Sequence, residues 1–594
     1  MPQTLSDELT VPPEWDLGDL YQGPDDPAIE KDLARAREMA ATFRERHMGG
    51  LSLMGGAALG AAIGEYEEIS DRLGRVSGYG DLLFAANVGD ENIARFSQTV
   101  REHINDISTD LIFFTLELNK LDGTIITEQL KDPAMAHYAP WIRQVRAFRS
   151  HQLADDLEEL LHEKSVTGRM AWVRLFEETI SAMRFDVGGE ELTISDTLDQ
   201  MSDTDGAKRK EAVHALGRGL DGRIALFSLV TNTLAKDKAI EDEKRRYKRP
   251  ISMRNLENQV EDEVVDALVS SVRKACPDLS HRYYALKARW FGSDRLDYWD
   301  RNAPLPGDDA ERYSWKEGRT IVLDAYGAFS PEMADVAKTF FDKRWIDASL
   351  RPTKDSGAFS HPLVPSVHPY ILMNYHGRAR DVMTLAHELG HGIHQVLAAD
   401  QGGLMADTPL TTAETASVFG EMLTFQSMLR GVDDPGRRRI LIAGKVEDML
   451  NTVVRQIAFH EFETRLHDAR RAGELTPGEI GDIWMAVQTE SLGPALRFDD
   501  TYRSFWAYIP HFLHTPFYVY AYAFGDCLVN SLYDVFEGGH PGFQDKYLDM
   551  LRAGGSLRHR ALLQPFGLDA SDPEFWGRGL SVIGRFIDEL ESME

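Results

Sequence analysis

The run His387–His391 reads H-E-L-G-H, which places two imidazoles four residues apart and a carboxylate directly after the first. On a helix these two histidines share one face, about 6 Å apart along the axis. Two imidazoles in this arrangement can fill two of the four positions around a tetrahedral Zn²⁺ ion. Glu388 then points in a neighbouring direction, from which it can take a proton from an activated water molecule. The motif predicts a hydrolytic zinc site; the alternative is a chance pair of histidines on a solvated helix face.

A catalytic zinc site needs a third protein ligand and one position open to water. Downstream of the motif, Glu414 and Glu421 lie among small or apolar residues, where a carboxylate needs a cation or a hydrogen-bond partner. We expect a helix over about 413–429 to carry both on one face. Glu414 is the predicted third ligand, and Glu421 is the predicted acceptor for the other N–H of a ligand histidine. The alternative is a pair of surface glutamates.

His394 falls near the face of the two motif histidines, but we exclude it as a ligand. It follows His387 by seven residues, about 10 Å along a helix axis, which is too far to share one metal ion. We therefore expect His394 in the wall or core beside the site. Gly390 and Gly392 each cost about 1 kcal/mol relative to alanine inside a helix, so we expect another part of the chain to approach closely there.

A segment near the end of the chain is rich in histidine and tyrosine. It contains His511, His514 and three alternating tyrosines, Tyr518, Tyr520 and Tyr522. Amide hydrolysis passes through an oxyanion, which imidazole N–H and phenol O–H groups can stabilise. The segment is therefore a candidate part of the site, with a purely structural aromatic core as the alternative.

The element that must position the motif is a helix, predicted over about 381–397. Two short strands are expected directly before it, at about 357–360 and 369–375. A strand at this place can offer its free edge to an extended peptide, or it can simply brace the helix. The small β-sheet is thus predicted to lie next to the metal-binding helix.

Most of the remaining chain shows the three- and four-residue apolar spacing that is typical of helices. Long helices are expected over 91–121 and 331–347. Gly188-Gly189 between two apolar runs predicts a β-hairpin over 185–194. We place a soft domain boundary at about 195–206, and the fold is predicted to be mostly α-helical.

The composition narrows the class of protein. The 594 residues are 43% hydrophobic and 27% charged, as in ordinary globular proteins, and the net charge of −30 argues against a nucleic-acid-binding face. Cys276 and Cys527 are far apart, which fits a reduced cytosol better than a disulfide framework. The first residues show no signal peptide, and the apolar run Leu51–Ile63 is shorter than the roughly 20 residues a membrane span needs. We expect a cytoplasmic protein without membrane or nucleic-acid partners.

Together these segments resemble the oligoendopeptidase F family, within the thimet-oligopeptidase-like zinc metallopeptidases. Three patterns carry the resemblance: H-E-L-G-H-G-x-H-Q from His387, E-x-x-S-x-x-x-E from Glu414, and H-F-x-x-x-P-F-Y-x-Y-x-Y from His511. The opening run Trp15–Tyr21 and the segment Arg344–Asp347 also look familial. The resemblance therefore covers nearly the whole chain.

The resemblance implies two helical halves around a deep substrate channel, with zinc at its floor. It implies an N-terminal helical domain over 1–200 and a zinc metallopeptidase domain over 201–594. The residues that it assigns to the site are the zinc ligands His387, His391 and Glu414, the base Glu388, and the substrate- or oxyanion-contacting His511, Tyr518 and Tyr522. Tyr518 and Tyr522 are favoured over Tyr520.

The predicted function is zinc-dependent hydrolysis of internal peptide bonds in short, unstructured oligopeptides, with one Zn²⁺ per chain. One alternative is a carboxydipeptidase with the same metal site. Another is an inactive peptide-binding scaffold, which the presence of every ligand and of the base disfavours. Two imidazoles and a carboxylate favour zinc among the divalent metals.

Overall fold

A computed structural model describes residues 11–165, 167–305 and 312–594, and in these residues the chain is predominantly helical, as predicted. The chain divides into two compact units. The first unit comprises Met1–Arg149, Ala310–Gly431 and Phe536–Leu568; the second comprises Ser150–Asp309, Val432–Val535 and Asp569–Glu594. The predicted domains 1–200 and 201–594 divide the chain along its sequence, and they stay a prediction, as does the channel.

In chain order the first fourteen α-helices are α1 (Pro27–His47), α2 (Gly56–Ala86), α3 (Glu91–Thr109), α4 (Ile112–Lys120), α5 (Gly123–Gln129), α6 (Pro133–Ala136), α7 (Ala139–Ala147), α8 (Asp155–Ser165), α9 (Arg169–Ala182), α10 (Ile194–Gln200), α11 (Gly206–Asp221), α12 (Ile224–Arg245), α13 (Ser252–Glu257) and α14 (Asp262–Ala275). The others are α15 (Ser280–Trp290), α16 (Trp315–Phe329), α17 (Pro331–Asp342), α18 (Ala379–Ala398), α19 (Leu410–Ala413), α20 (Ser417–Arg430), α21 (Pro435–Thr452), α22 (Val454–Ala472), α23 (Pro477–Leu492), α24 (His511–His514), α25 (Tyr520–Glu537), α26 (Phe543–Arg552), α27 (His559–Leu563) and α28 (Pro573–Ser592).

The strands are β1 (Phe185–Val187), β2 (Glu190–Leu192), β3 (Leu296–Asp297), β4 (Ile346–Asp347), β5 (Phe359–His361), β6 (Tyr370–Leu372) and β7 (Leu496–Arg497). Short 3₁₀-helices lie at Leu17–Asp19, Leu51–Leu53, Phe148–His151, Cys276–Asp278, Tyr298–Asp300, Ala399–Gln401, Asp500–Tyr508, Gly554–Ser556 and Gln564–Phe566. No helix among the described residues is both long and apolar enough to cross a membrane.

Each unit has its own aromatic-rich core. In the first unit Phe43, Phe114 and Trp141 are buried between α1, α2, α4 and α7. In the second unit Trp484 and Tyr502 are buried with apolar residues of α11, α12 and α22. Burial of such large side chains supplies most of the driving force for folding.

Two predicted helices end earlier than their apolar spacing suggested. The helix expected over 91–121 is interrupted at Asp110, whose carboxylate accepts a hydrogen bond from Arg44 of α1 at 2.8 Å. The helix expected over 331–347 ends at Asp342, because Arg344 adopts the left-handed conformation (φ 56°) and the chain continues into β4. The first interruption coincides with a contact to a neighbouring helix, and the second with a change of backbone conformation.

The hairpin over 185–194 is confirmed. β1 and β2 pair antiparallel with Phe185 opposite Leu192. Gly188 and Gly189 both have positive φ, 62° and 92°, as a tight two-residue hairpin turn requires.

The small sheet next to the metal-binding motif is also confirmed, with one strand more than predicted. Its order is β4-β6-β5, with β4 parallel and β5 antiparallel to the central strand β6. Within the described residues β5 pairs only with β6, so that its other edge can accept a further strand. The helix α18 packs directly on β5 and β6.

A buried ion pair anchors this sheet. The ammonium of Lys354 donates to the Asp347 carboxylate at 2.7 Å and to the carbonyl oxygens of Ser349 and Met373 at 2.9 and 2.6 Å. Asp347 is 1% exposed and also accepts from Arg351 at 2.7 Å. Lys354 therefore ties β4, β6 and the intervening loop together.

We expect Lys354→Met to destabilise the protein by about 3 kcal/mol, because it leaves a buried carboxylate and several carbonyl oxygens without their shared donor. The measurement is urea unfolding followed by circular dichroism. The matched control is Lys338→Met, which removes an exposed ion pair with Asp342 and should cost less than about 1 kcal/mol. Equal losses in the two variants would contradict the anchoring role.

Candidate metal centre

The structure brings the three predicted ligands together in the first unit. The candidate ligand atoms of His387, His391 and Glu414 all lie within 4.8 Å of one another. Nε2 of each histidine is 3.4 Å from the same Glu414 oxygen, Oε2. The motif lies on α18, as predicted, and its two imidazoles meet edge to face with ring centroids 4.9 Å apart. All three donors thus converge on one point.

Glu414 reaches the histidines from a turn, and the helix predicted over 413–429 is wrong at its start. α19 ends at Ala413 and α20 begins at Ser417, so Glu414 and Glu421 do not share a helix face. Ser417 donates its hydroxyl to Glu414 Oε2 at 2.6 Å. Behind the turn, Tyr547 of α26 donates to the carbonyl oxygen of Thr415 at 2.8 Å. A turn held on both sides can aim one carboxylate at two imidazoles.

Glu421 occupies the position expected of an outer acceptor. Its Oε2 lies 3.3 Å from Nδ1 of His387, the ring nitrogen that faces away from Glu414. A carboxylate in this place fixes the orientation of the imidazole and makes the opposite nitrogen a better ligand. The predicted contact between Glu421 and a motif histidine is therefore present.

The two glycines of the motif helix explain how close its neighbours come. A Cβ atom on Gly390 would lie 2.5 Å from the carbonyl oxygen of Ala416 and 2.6 Å from Cα of Ser417. A Cβ atom on Gly392 would lie 2.5 Å from the ring of Phe340. The expected close approach is thus real, and at Gly390 the approaching chain is the turn that carries Glu414.

The remaining predicted residues of α18 are buried. Glu388 is 5% exposed; burial raises its pKa, whereas the two motif histidines and the backbone N–H of Ser360 in β5 oppose that shift. His394 is 6% exposed, and burial lowers its pKa to about 4. His394 is outside the group of potential metal ligands found in the described residues, in agreement with its exclusion.

The charges of the cluster fit a divalent cation. Burial lowers the pKa of His387, but the hydrogen bond that His387 donates to Glu421 and the charges of the nearby carboxylates outweigh burial and raise the pKa to about 9. Burial raises the pKa of Glu414, but the hydrogen bond and charge of His391, with His387 and Ser417, lower the pKa to about 2. Three carboxylates thus surround two imidazoles, and a cation can replace the imidazole protons. Two imidazole nitrogens and one carboxylate oxygen form the donor set of a catalytic zinc site.

The second unit holds the histidine- and tyrosine-rich segment. The hydroxyl of Tyr522 lies 3.4 Å from Nε2 of His511, and the rings of Tyr518 and Tyr522 meet edge to face at 5.1 Å. Tyr520 is fully buried, and its hydroxyl accepts a hydrogen bond from Asn258 at 2.9 Å. Burial, together with the charges of His514 and Arg455, lowers the pKa of His511. The structure groups the three residues predicted from the sequence and separates them from Tyr520.

Sequence reasoning missed the residues that support this second cluster. Glu463, on α22, accepts the backbone N–H of Phe517 at 2.7 Å across 54 residues of sequence. Arg169, on α9, donates to the carbonyl oxygens of Leu513 and His514. No local pattern reveals such contacts, because each joins one side chain to the backbone of a distant segment.

The chain matches models of two known protein families. Residues 200–582 match the model described as Peptidase family M3, and residues 117–185 match the model described as Oligopeptidase F. Among curated relatives, oligopeptidase PepF of Bacillus subtilis is 26% identical; the match covers 99% of this chain and 88% of that protein.

Solved structures share the fold. A candidate peptidase from Chlamydophila abortus superposes with a TM-score of 0.84 at 22% identity, and the superposition covers 98% of both chains. Oligoendopeptidase-F from Enterococcus faecium superposes with a TM-score of 0.72 at 20% identity, over 96% of this chain and 99% of that chain.

We expect Gly390→Ala to destabilise the protein by about 1–3 kcal/mol, because the added methyl group must push away the Ala416–Ser417 backbone. Displacement of Glu414 should also weaken metal binding by about tenfold or more, measured with added Zn²⁺ as the probe by competition with a chromophoric chelator. The matched control is Gly444→Ala at an exposed site within α21, where no atom lies within 4 Å of the added Cβ. That change should stabilise the helix by up to about 1 kcal/mol. Unchanged zinc affinity in Gly390→Ala would contradict the role given to the close approach.

Proposed function

The chain belongs to peptidase family M3, and from this membership we propose that it is a zinc-dependent endopeptidase that hydrolyses internal bonds of short, unstructured oligopeptides. As a member of that family it is a metallopeptidase. The observation that carries the proposal is the convergence of His387, His391 and Glu414 within 4.8 Å. The helix of the two histidines also carries Glu388, and the helix that follows the Glu414 turn carries Glu421. A vestigial scaffold would not need this complete set.

We assign His387, His391 and Glu414 as the ligands of one Zn²⁺ per chain. When bound, the ion would polarise the attacking water and the scissile carbonyl. Glu421 accepts from Nδ1 of His387 and so keeps the lone pair of Nε2 directed toward Glu414. The hydroxyl of Ser417 holds the Glu414 carboxylate in place.

Glu388 is the proposed general base and acid. It lies on the same helix as both histidine ligands and is almost fully enclosed. Its carboxylate takes a proton from the attacking water and later gives it to the leaving amine. The Ser360 N–H beside it belongs to the edge strand β5, so a peptide that added to this edge would run past the base.

We assign His511, Tyr518 and Tyr522 as donors to the substrate carbonyl oxygen as negative charge develops on it. Their mutual contacts and the partial exposure of all three side chains support this role. A cytoplasmic location is part of the same proposal, and it is supported by two buried cysteines that form no disulfide.

The variant Glu388→Gln tests the base. Glutamine keeps the shape of the side chain but cannot accept the proton, so kcat/KM for a peptide should fall by about a thousandfold, whereas zinc content measured by mass spectrometry should stay at one per chain. Glu243→Gln, at an exposed glutamate, is the control and should retain full activity. Wild-type activity should also disappear with a chelator and return with Zn²⁺. Undiminished hydrolysis by Glu388→Gln would contradict the assignment.

A second experiment separates the endopeptidase from the carboxydipeptidase. An internally quenched peptide with an amidated C-terminus lacks the free carboxylate that a carboxydipeptidase must recognise. We expect cleavage at an internal bond, read from product masses, at a rate close to that of the same peptide with a free C-terminus. Cleavage of the free form alone, two residues from its end, would favour the carboxydipeptidase.

A further inference from the structure

The backbone has an unusual conformation one residue before Tyr518. Phe517 has φ 60°, in the left-handed region that bulky residues rarely adopt. Its N–H donates to Glu463 Oε1 at 2.7 Å. Its ring is 1% exposed and lies against the rings of His467 and His460, with centroids 5.0 and 6.0 Å apart. The conformation is therefore imposed by tertiary contacts.

Besides the packing of Phe512 and Leu513 in the core of the second unit, the segment before Phe517 has polar anchors to its backbone. Arg169 donates to the carbonyl oxygens of Leu513 and His514 at 2.8 and 2.6 Å, and Arg254 donates to that of Pro516 at 3.4 Å. Phe512, Leu513, His514 and Pro516 line a cavity of about 330 Å³ within the second unit, whose other walls include these two arginines and Glu463. On the side of the segment that faces the cavity, these hydrogen bonds hold the backbone.

Packing alone does not explain Glu463. The side chain is 2% exposed, and its second oxygen, Oε2, is enclosed and has no hydrogen-bond partner among the residues that the structure describes. Burial raises the pKa of Glu463 to about 8, although the Phe517 N–H, Arg254 and Lys238 lower it. An apolar side chain would occupy this position without the cost of burying a half-satisfied carboxyl group. What the carboxyl group supplies is one acceptor, directed at Phe517.

We propose that Glu463 is a positioning residue that fixes Tyr518 by holding Phe517 in the left-handed conformation. The proposal rests on the role assigned above to Tyr518 in the hydrolysis of peptides. The chain passes from α24 to α25 through Phe517, and the next N–H, that of Tyr518, donates to the carbonyl oxygen of Thr515 at 3.1 Å. A return of Phe517 to an ordinary φ would break this turn and redirect the Tyr518 side chain.

The test compares two variants at position 463. Glu463→Gln keeps a carbonyl oxygen that can accept from the Phe517 N–H, and kcat should stay within about threefold of wild type. Glu463→Met keeps the length of the side chain but removes the acceptor. We expect its kcat to fall about tenfold to a hundredfold, with KM within about threefold and zinc still at one per chain.

The control is Asn232→Leu, which removes another buried side chain that anchors a distant backbone in the same unit. Asn232 is 3% exposed and exchanges two hydrogen bonds of 2.9 Å with the backbone of Leu475. It should lose stability but keep its kcat. An equal fall of kcat in Asn232→Leu and Glu463→Met, or a fall in Glu463→Gln as large as that in Glu463→Met, would overturn the proposal.

Hydrogen exchange supplies a readout that does not depend on activity. Exchange of the Phe517 amide, obtained by mass spectrometry from overlapping peptides that end before and after it, should be about tenfold faster in Glu463→Met than in wild type, Glu463→Gln or Asn232→Leu. Unchanged exchange in Glu463→Met would refute the positioning role. Absence of chelator-sensitive hydrolysis by the wild-type enzyme would instead refute the proposed function, and the exchange rates would still decide whether Glu463 holds Phe517.

Discussion

The metal centre depends on one close contact between two backbones. Helix α18 carries His387 and His391, and the turn before α20 carries Glu414. The two can bring their side chains to one point only because Gly390 has no Cβ where Ala416 and Ser417 cross it. Glycine costs the helix about 1 kcal/mol relative to alanine. It also allows the two backbone segments to approach more closely than any residue with a Cβ atom would permit.

Around this contact the protein concentrates negative charge beside two imidazoles, side chains that can exchange a proton for a metal ion. Glu388, Glu414 and Glu421 all approach the two imidazoles. Elsewhere in the first unit a buried carboxylate such as Asp347 has a lysine and an arginine of its own. Asp347 therefore belongs to a structural ion pair that is complete within the protein. The carboxylates beside the two imidazoles instead form a site that a metal cation can enter.

The sequence predicted the parts of the site that follow from short-range spacing. The H-E-x-x-H helix, the exclusion of His394, the sheet beside the helix and the hairpin at Gly188-Gly189 all follow from periodicity or turn chemistry. The prediction of one helix that carries both Glu414 and Glu421 was wrong, because the spacing of apolar residues does not reveal the three-residue interruption between α19 and α20. Strand β4 was missed for a similar reason: two residues carry no alternation, and their strand partner is β6, which lies more than twenty residues later in the chain.

The hydrogen bond between Tyr547 and the turn that carries Glu414 has a consequence for folding during synthesis. Thr415 is held by Tyr547, 132 residues later in the chain, and α26, which contains Tyr547, packs on α18. A nascent chain that has emerged only as far as the motif therefore carries the histidines without the support that aims their carboxylate partner. The ribosome must deliver residue 547 before this hydrogen bond can form, so the turn that carries Glu414 gains its support only after synthesis has passed well beyond the motif.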